Sequence, residues 1–248
     1  MKQVPILLLL LILTLVANAQ ERVYPQFHVN GNFQVGIPLE DFRDQLDDIG
    51  FGGGGLFLVQ AGNTPLAAGI ELSIMGYAIE RARYQVRVGG FLKEYELQTS
   101  SNIFLGHFVL RFQPATSFPI KPYFDGMVGF KNLFTSTTLT DRDIDETLES
   151  GTDESDWAFS YGGAVGLQFT LSQNSGIVLD LRCAYLPGSN ASYLTRKKET
   201  GTNPDYNDPI DAFEQKTSPT LLLLPQIGIT FKGLFSKEKE EDYEYDYD

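Results

Sequence analysis

The sequence predicts an all-β fold: an eight-stranded antiparallel up-and-down transmembrane β-barrel with long external loops and short periplasmic turns. Three observations predict it. Eight segments alternate apolar and polar residues at period two, the pattern of a strand with one apolar face. The connections between them run long, short, long, short, long, short, long, which puts every short turn at one end of the strands. The chain also opens on an export leader, while its mean hydropathy of −0.14 is far too low for a bundle of membrane helices.

The leader comes first. Lys2 gives a positive start, residues 4–16 are almost wholly apolar, and Ala17-Asn18-Ala19 is the small-x-small pattern of a signal-peptidase site. The apolar run is shorter than the roughly 20 residues a membrane helix needs. Residues 1–19 are therefore expected to be a cleaved signal peptide, with the mature chain starting at Gln20. No cysteine stands directly after the expected cut, so no lipid anchor is expected.

The first strand is expected over 26–37, with Phe27, Val29, Phe33, Val35 and Ile37 on one face and His28, Asn30, Asn32 and Gln34 on the other. A loop rich in aspartate, 38–50, leads to a weaker strand over 51–61, where Gly52 to Gly55 bring no side chains to set a register. After the turn at 62–65, the third strand (66–78) sets Ile70, Leu72 and Ile74 against Glu71 and Ser73. A charged excursion, 79–101, separates it from the fourth (102–113), and parts of that excursion, such as 84–88, are candidates to prolong the strands. In the fourth strand Phe104, Phe108, Leu110 and Phe112 oppose His107 and Arg111.

The fifth strand (120–130) sets Phe124, Val128 and Phe130 against Asp125 and Met127, with Lys131 just beyond. Residues 132–156 carry nine charges, eight of them acidic, and read as a polar loop. The sixth strand (157–171) has the cleanest alternation, from Trp157 to Leu171. The seventh (176–186) sets Ile177, Leu179, Leu181, Cys183 and Tyr185 against Asp180 and Arg182. A polar loop, 187–218, leads to the closing strand, 220–235, whose apolar face runs Leu221, Leu223, Pro225, Ile227, Ile229, Phe231, Gly233, Phe235. It should pair antiparallel with the first strand and leave no open edge. Residues 20–235 thus form one barrel domain, and 236–248 an acidic tail expected to be disordered.

Charge and composition exclude several classes. Loss of Lys2 with the leader takes the formal charge from −13 to −14, which argues against nucleic acid as a partner. A single cysteine rules out an intramolecular disulfide. A soluble β-sandwich would turn its apolar faces inward, but its crossovers give no reason for connections to alternate long and short.

The mature chain resembles the small outer-membrane β-barrel proteins of the OmpA/OmpX-like type, in the form common in Bacteroidetes. The resemblance rests on the leader, the first strand running into Pro38-Leu39-Glu40-Asp41-Phe42, Lys121-Pro122-Tyr123-Phe124-Asp125-Gly126-Met127-Val128-Gly129-Phe130, Tyr161-Gly162-Gly163-Ala164-Val165-Gly166-Leu167 and Ile227-Gly228-Ile229-Thr230-Phe231. It implies a cell outer membrane location in a Gram-negative bacterium, membrane lipid around the barrel and insertion by the barrel-assembly machinery. That machinery would read a terminal aromatic, here Phe231 or Phe235. The role implied is non-enzymatic: structure, envelope integrity, or surface interaction with external protein or surface ligands through the loops.

An eight-stranded barrel is just wide enough to be filled by side chains. Glu71, Arg111, Asp125, Lys131, Asp180, Arg182 and Lys232 are expected to face that lumen, nearly balanced in charge, as a structural cluster of ion pairs. The alternatives are a narrow pore along the same charges, or a lipid-modifying enzyme using His28 or His107, neither of which has an obvious Ser or Asp beside it in sequence. The acids at 141–146 invite calcium but lack the EF-hand glycine and closing glutamate, and 52–55 lacks the Lys-Ser/Thr of a phosphate loop, so no cofactor or metal is expected. Phe27, Phe33, Tyr77, Phe104, Phe112, Tyr123, Trp157, Tyr161, Tyr185, Phe231 and Phe235 are expected in interfacial belts, and Cys183 against lipid.

Overall fold

Nothing in hydrocarbon can satisfy an unpaired backbone N–H or C=O, so a sheet that crosses a membrane must close on itself. The computed structural model shows that closure. It describes residues 25–234 apart from 47, 63, 89–90, 115–117, 143, 145, 173–175, 198–209 and 211–212. In chain order the elements are β1 (Gln26–Pro38), helix α1 (Glu40–Gln45), β2 (Gly50–Gln60), β3 (Leu66–Val88), β4 (Phe91–Phe112), β5 (Ile120–Asp141), β6 (Glu146–Ser172), β7 (Ile177–Leu186), β8 (Asn190–Arg196), β9 (Phe213–Pro219) and β10 (Leu222–Leu234). Eight of these make one closed barrel in the order β1-β10-β7-β6-β5-β4-β3-β2, every neighbour antiparallel. β10 closes on β1 with Phe33 opposite Ile227 and Asn30 opposite Thr230.

Strand alternation decides what faces where. Val29, Phe33, Ile70, Leu72, Ile74, Phe108, Leu110, Phe124, Val128, Val165, Ile227 and Ile229 all lie exposed on the outside. On β6 the outward apolar face runs from Trp157 to Leu171, fourteen residue steps. That is ~46 Å along the strand and, at a tilt of about 45°, ~33 Å of height, close to the hydrocarbon thickness of a bilayer.

The external ends depart from simple loops. Four neighbouring strands continue past the apolar band: β3 pairs with β4 out to Val88 opposite Phe91, and β5 with β6 out to Asp141 opposite Glu146. The stretches 79–101 and 132–156 are therefore mostly strand. The sequence of 132–156 hides this because both of its faces are largely polar, whereas 84–88 is the stretch expected to prolong a strand. The extension is held by backbone ladders and by hydroxyl pairs across them, Thr99–Thr137 and Ser101–Thr135 at 2.8 Å and Thr138–Ser150 at 3.2 Å.

A β-bulge sits where the extension begins. Gly76 pairs with Asn102 but Ala78 with Ser101, so Tyr77 is an extra residue on β3. Tyr77 and Ala78 both point inward, and the outward face passes from even residues (Ile70, Leu72, Ile74) to odd ones (Ile79, Arg81, Arg83). Tyr77 was expected in an interfacial belt. It instead keeps the inward parity of Glu71, Ser73 and Met75 and enters the barrel mouth, where its hydroxyl donates to Leu194 O at 2.9 Å.

The remaining connections are also structured. Helix α1 lies in the stretch 38–50 and sends Phe42 inward, and the stretch 187–218 folds into the β8–β9 hairpin. Phe42 and Leu46 meet Tyr193 and Phe213 over Leu186, Leu222 and Leu224, an apolar cap across the external mouth. Phe42 and Tyr193 pack edge-on with ring centroids 5.2 Å apart. Leu222 and Leu224 face inward although their neighbours Leu221 and Leu223 are equally apolar; alternation carries no information where both faces are leucine. The signal peptide, the acidic tail and Phe235 lie outside the described residues.

Val128 is exposed on the lipid-facing side of β5. Replacing it with arginine should lower stability by about 2–4 kcal/mol in urea titrations of the protein folded into vesicles, as for charges near the midplane of other barrels.

Candidate functional site

The lumen is the candidate site, and it is built by register. Inward positions carry polar residues where four strands cross the middle of the barrel. β3 brings Glu71, β4 brings His107 and Arg111, β5 brings Tyr123, Asp125 and Met127, and β7 brings Asp180 and Arg182. All are buried, which leaves no bulk water to solvate the charges, so each must find a partner.

Arg111 and Asp125, opposite one another on β4 and β5, form a two-pronged pair: Nε donates to Oδ1 at 2.7 Å and Nη2 to Oδ2 at 2.9 Å. Arg182 lies on the other side of the same carboxylate, its Nε 2.9 Å from Asp125 Oδ2 as an ion pair without hydrogen-bond geometry. Its Nη1 donates to Glu71 Oε1 at 2.7 Å and to Gln226 Oε1 at 2.8 Å, and its Nη2 reaches Met127 Sδ at 3.2 Å. Asp180 takes the remaining donors: Tyr123 at 2.5 Å, Gln168 at 2.8 Å and Thr230 at 3.2 Å, with Arg111 Nη1 3.8 Å away. The Arg111 guanidinium also lies 3.7 Å above the centre of the Tyr123 ring.

Five of the seven expected lumen charges, Glu71, Arg111, Asp125, Asp180 and Arg182, therefore meet in one network. The two lysines stand apart from it. Lys131 is buried nearer the external mouth and donates to the backbone carbonyls of Leu186, at 2.7 Å, and Thr220. Lys232, towards the other end, donates to Gln113 Oε1 at 2.9 Å, and Gln113 in turn donates to Gln168.

Two members were missed by the sequence reading. Tyr123, expected in the interfacial belt, is on the inward parity of β5 and buried. Its inward neighbours Asp125 and Met127 carried the signal that could have placed it. Ser160 is the second. His107 pairs with Gly129 on β5 and Gly129 with Ser160 on β6, so the three share one row. With no side chain at 129, His107 Nε2 reaches Ser160 Oγ across β5 at 2.9 Å. His28 is buried on β1. Cys183 faces outward on β7, half-buried among its neighbours, and Gly52 to Gly55 lie within β2 as ladder residues. Of the acidic stretch 141–146, Asp143 and Asp145 lie outside the described residues.

A closed ring with an apolar outside and a paired polar inside can rest only in a bilayer, and spanning barrels of this kind belong to outer membranes. The chain is an integral outer-membrane β-barrel. No family model matches the sequence, and no curated protein does either. Among solved structures it is similar to neisserial surface protein A, at 7% identity and TM-score 0.37 over 84% of this chain and 96% of that one. It is also similar to the attachment invasion locus protein of Yersinia pestis, solved with the heparin analogue sucrose octasulfate, at 13% identity and TM-score 0.36 over 85% of this chain and 99% of the other. A major outer membrane protein of Thermus thermophilus gives 16% identity and TM-score 0.41 over 84% and 98%. At these scores the membrane-barrel reading stands on the ladders and the faces of the barrel itself.

Asp125 holds two guanidiniums together, and Asp125→Ala would leave Arg111 to its longer contact with Asp180, at 3.8 Å, while Arg182 keeps Glu71. Stability in urea should fall by about 3–5 kcal/mol, the usual cost of removing one partner of a buried ion pair.

Proposed function

We propose that this barrel is a closed, non-enzymatic scaffold, with residues 20–235 as its single working unit, that holds a structured external surface at the cell envelope. The observation that carries the reading is the filling of the lumen. From Lys232 and Gln113, through the Arg111–Asp125–Arg182 network, to the leucine and tyrosine cap under α1, side chains occupy successive levels of the interior. Beside the network a cavity of about 10 Å³ remains, lined by residues such as Asn30, Leu56, Arg111 and Gln226. That is room for a single water at most. A hydrated ion does not pass such a column unless the ion pairs part.

Barrel protein in planar bilayers should accordingly show no discrete conductance steps under applied voltage. Reproducible openings in the protein as purified would overturn the closed reading and restore the pore.

The histidines are enclosed in the same way. His107 is 4% exposed and Ser160 fully buried, with the paired network on one side and the apolar cap on the other, so no acyl chain or sugar reaches them. The contact serves as a cross-strand tie beneath the mouth. Cells carrying His107→Ala should have the same lipid A profile as the parent by mass spectrometry; a changed profile would make the barrel an enzyme.

A further inference from the structure

The outward face of the four-strand extension changes chemistry just above the apolar band. Ile79 is exposed on β3, and the next two outward positions are Arg81 and Arg83. Arg83 Nε donates to Glu96 Oε2 on β4 at 3.0 Å, and Arg142, after β5, donates to the same oxygen at 2.7 Å. Arg81 Nε stands 3.9 Å from the other oxygen of Glu96 and donates to Gln98 Oε1 at 2.7 Å. Three guanidiniums thus gather around the single carboxylate of Glu96, on a chain whose formal net charge is −13.

The cluster contributes little to holding the fold. The three arginine side chains are 54%, 59% and 42% exposed, and exposed ion pairs are worth at most about 1 kcal/mol. Each guanidinium keeps N–H donors that Glu96 does not use, in the planar fork that fits phosphate. The hydrogen bond from Arg83 is the main cause holding the Glu96 carboxyl below its ordinary range, so it stays charged and pins the forks side by side. Thr140 lies opposite Glu96 and Thr138 opposite Gln98, adding neutral hydroxyls on the same face.

Depth identifies the occupant. Arg81 lies ~7 Å and Arg83 ~13 Å along the strand beyond Ile79, less in height because the strand is tilted. The headgroup zone on each side of a bilayer is about 5–8 Å deep. At a tilt of about 45° that is ~5 Å of height for Arg81, within the headgroup zone, and ~9 Å for Arg83, at its outer edge. We propose that Arg81, Arg83 and Arg142, spaced by Glu96, bind the phosphorylated headgroup of a lipid packed against β3 and β4 in the outer leaflet. The proposal rests on the membrane-barrel fold and is independent of whether the lumen conducts.

The test is native mass spectrometry of the folded barrel released from mixed micelles of phosphatidylcholine and phosphatidylglycerol, with unboiled gel mobility confirming that each variant is folded. Phosphatidylglycerol should be retained in preference to phosphatidylcholine. Arg81→Gln and Arg83→Gln should each reduce that preference about fivefold, while Glu96→Gln, which removes the carboxylate between the guanidiniums, should increase it. Equal preference in the parent and the Arg81→Gln/Arg83→Gln double variant would overturn the proposal. So would complete displacement of phosphatidylglycerol by inorganic phosphate, which would make this a site for soluble anions.

Discussion

Everything in this molecule depends on the hydrogen bonds between β1 and β10. A sheet with two edges could hold the same side chains in the same alternation and still fail in a bilayer, because each edge N–H and C=O would meet hydrocarbon at a cost of several kcal/mol. Closing first strand on last removes both edges at once. The closing ladder joins residues about two hundred positions apart, so the most remote pairing in the chain is also the one that makes every other pairing tenable in lipid. Towards the external end of the apolar band the same demand is met differently. There β6 leaves β7 beyond Gly163, and the segment after β7 caps its edge piecemeal, with Tyr161 N–H on Pro187 O and Phe159 N–H on the Ser189 hydroxyl.

Closure at eight strands sets the second constraint. The bore is too narrow for a water column, so inward residues must satisfy each other. Two solutions are stacked along the axis. In the middle, charges are arranged so that each acid of the Asp125, Glu71, Asp180 set meets a guanidinium. Under the external mouth the chain uses apolar packing, with α1 and the β8–β9 hairpin folded down as a lid would be on a soluble protein. Glu71 Oε2 and Gln34 Nε2 are left without a partner among the described residues, so the middle layer is close to full satisfaction but short of it.

Much of this could be read from the residues, and the failures share one cause. Period-two alternation is legible only where the two faces differ in polarity. Across the hydrocarbon band they do, and Phe124 against Asp125, or Leu181 against Arg182, placed the strands and the lumen charges. At 132–156 both faces are hydroxyl and acid, and at 221–224 both are leucine, so the strand extension and the inward leucines left no trace. Tyr123 and Tyr77 were misplaced because tyrosine suits a headgroup belt and a lumen equally well; parity with their buried neighbours decides both. The His107–Ser160 contact needed the register of three strands and the glycine between them, which no single strand reveals.

The bulge at Tyr77 does more than bring Ala78 inward beside it. Every residue of β3 beyond it has its sides exchanged relative to an unbroken count from Leu66. Had β3 run regularly through Tyr77, Arg81 and Arg83 would aim over the lumen and Ala82 would look outward. One additional amino acid thus works as a phase switch: it lets a single continuous strand obey one chemical code inside the membrane and another above it. Straightening the bulge at unchanged chain length would rewrite the outer surface without replacing any residue that forms it.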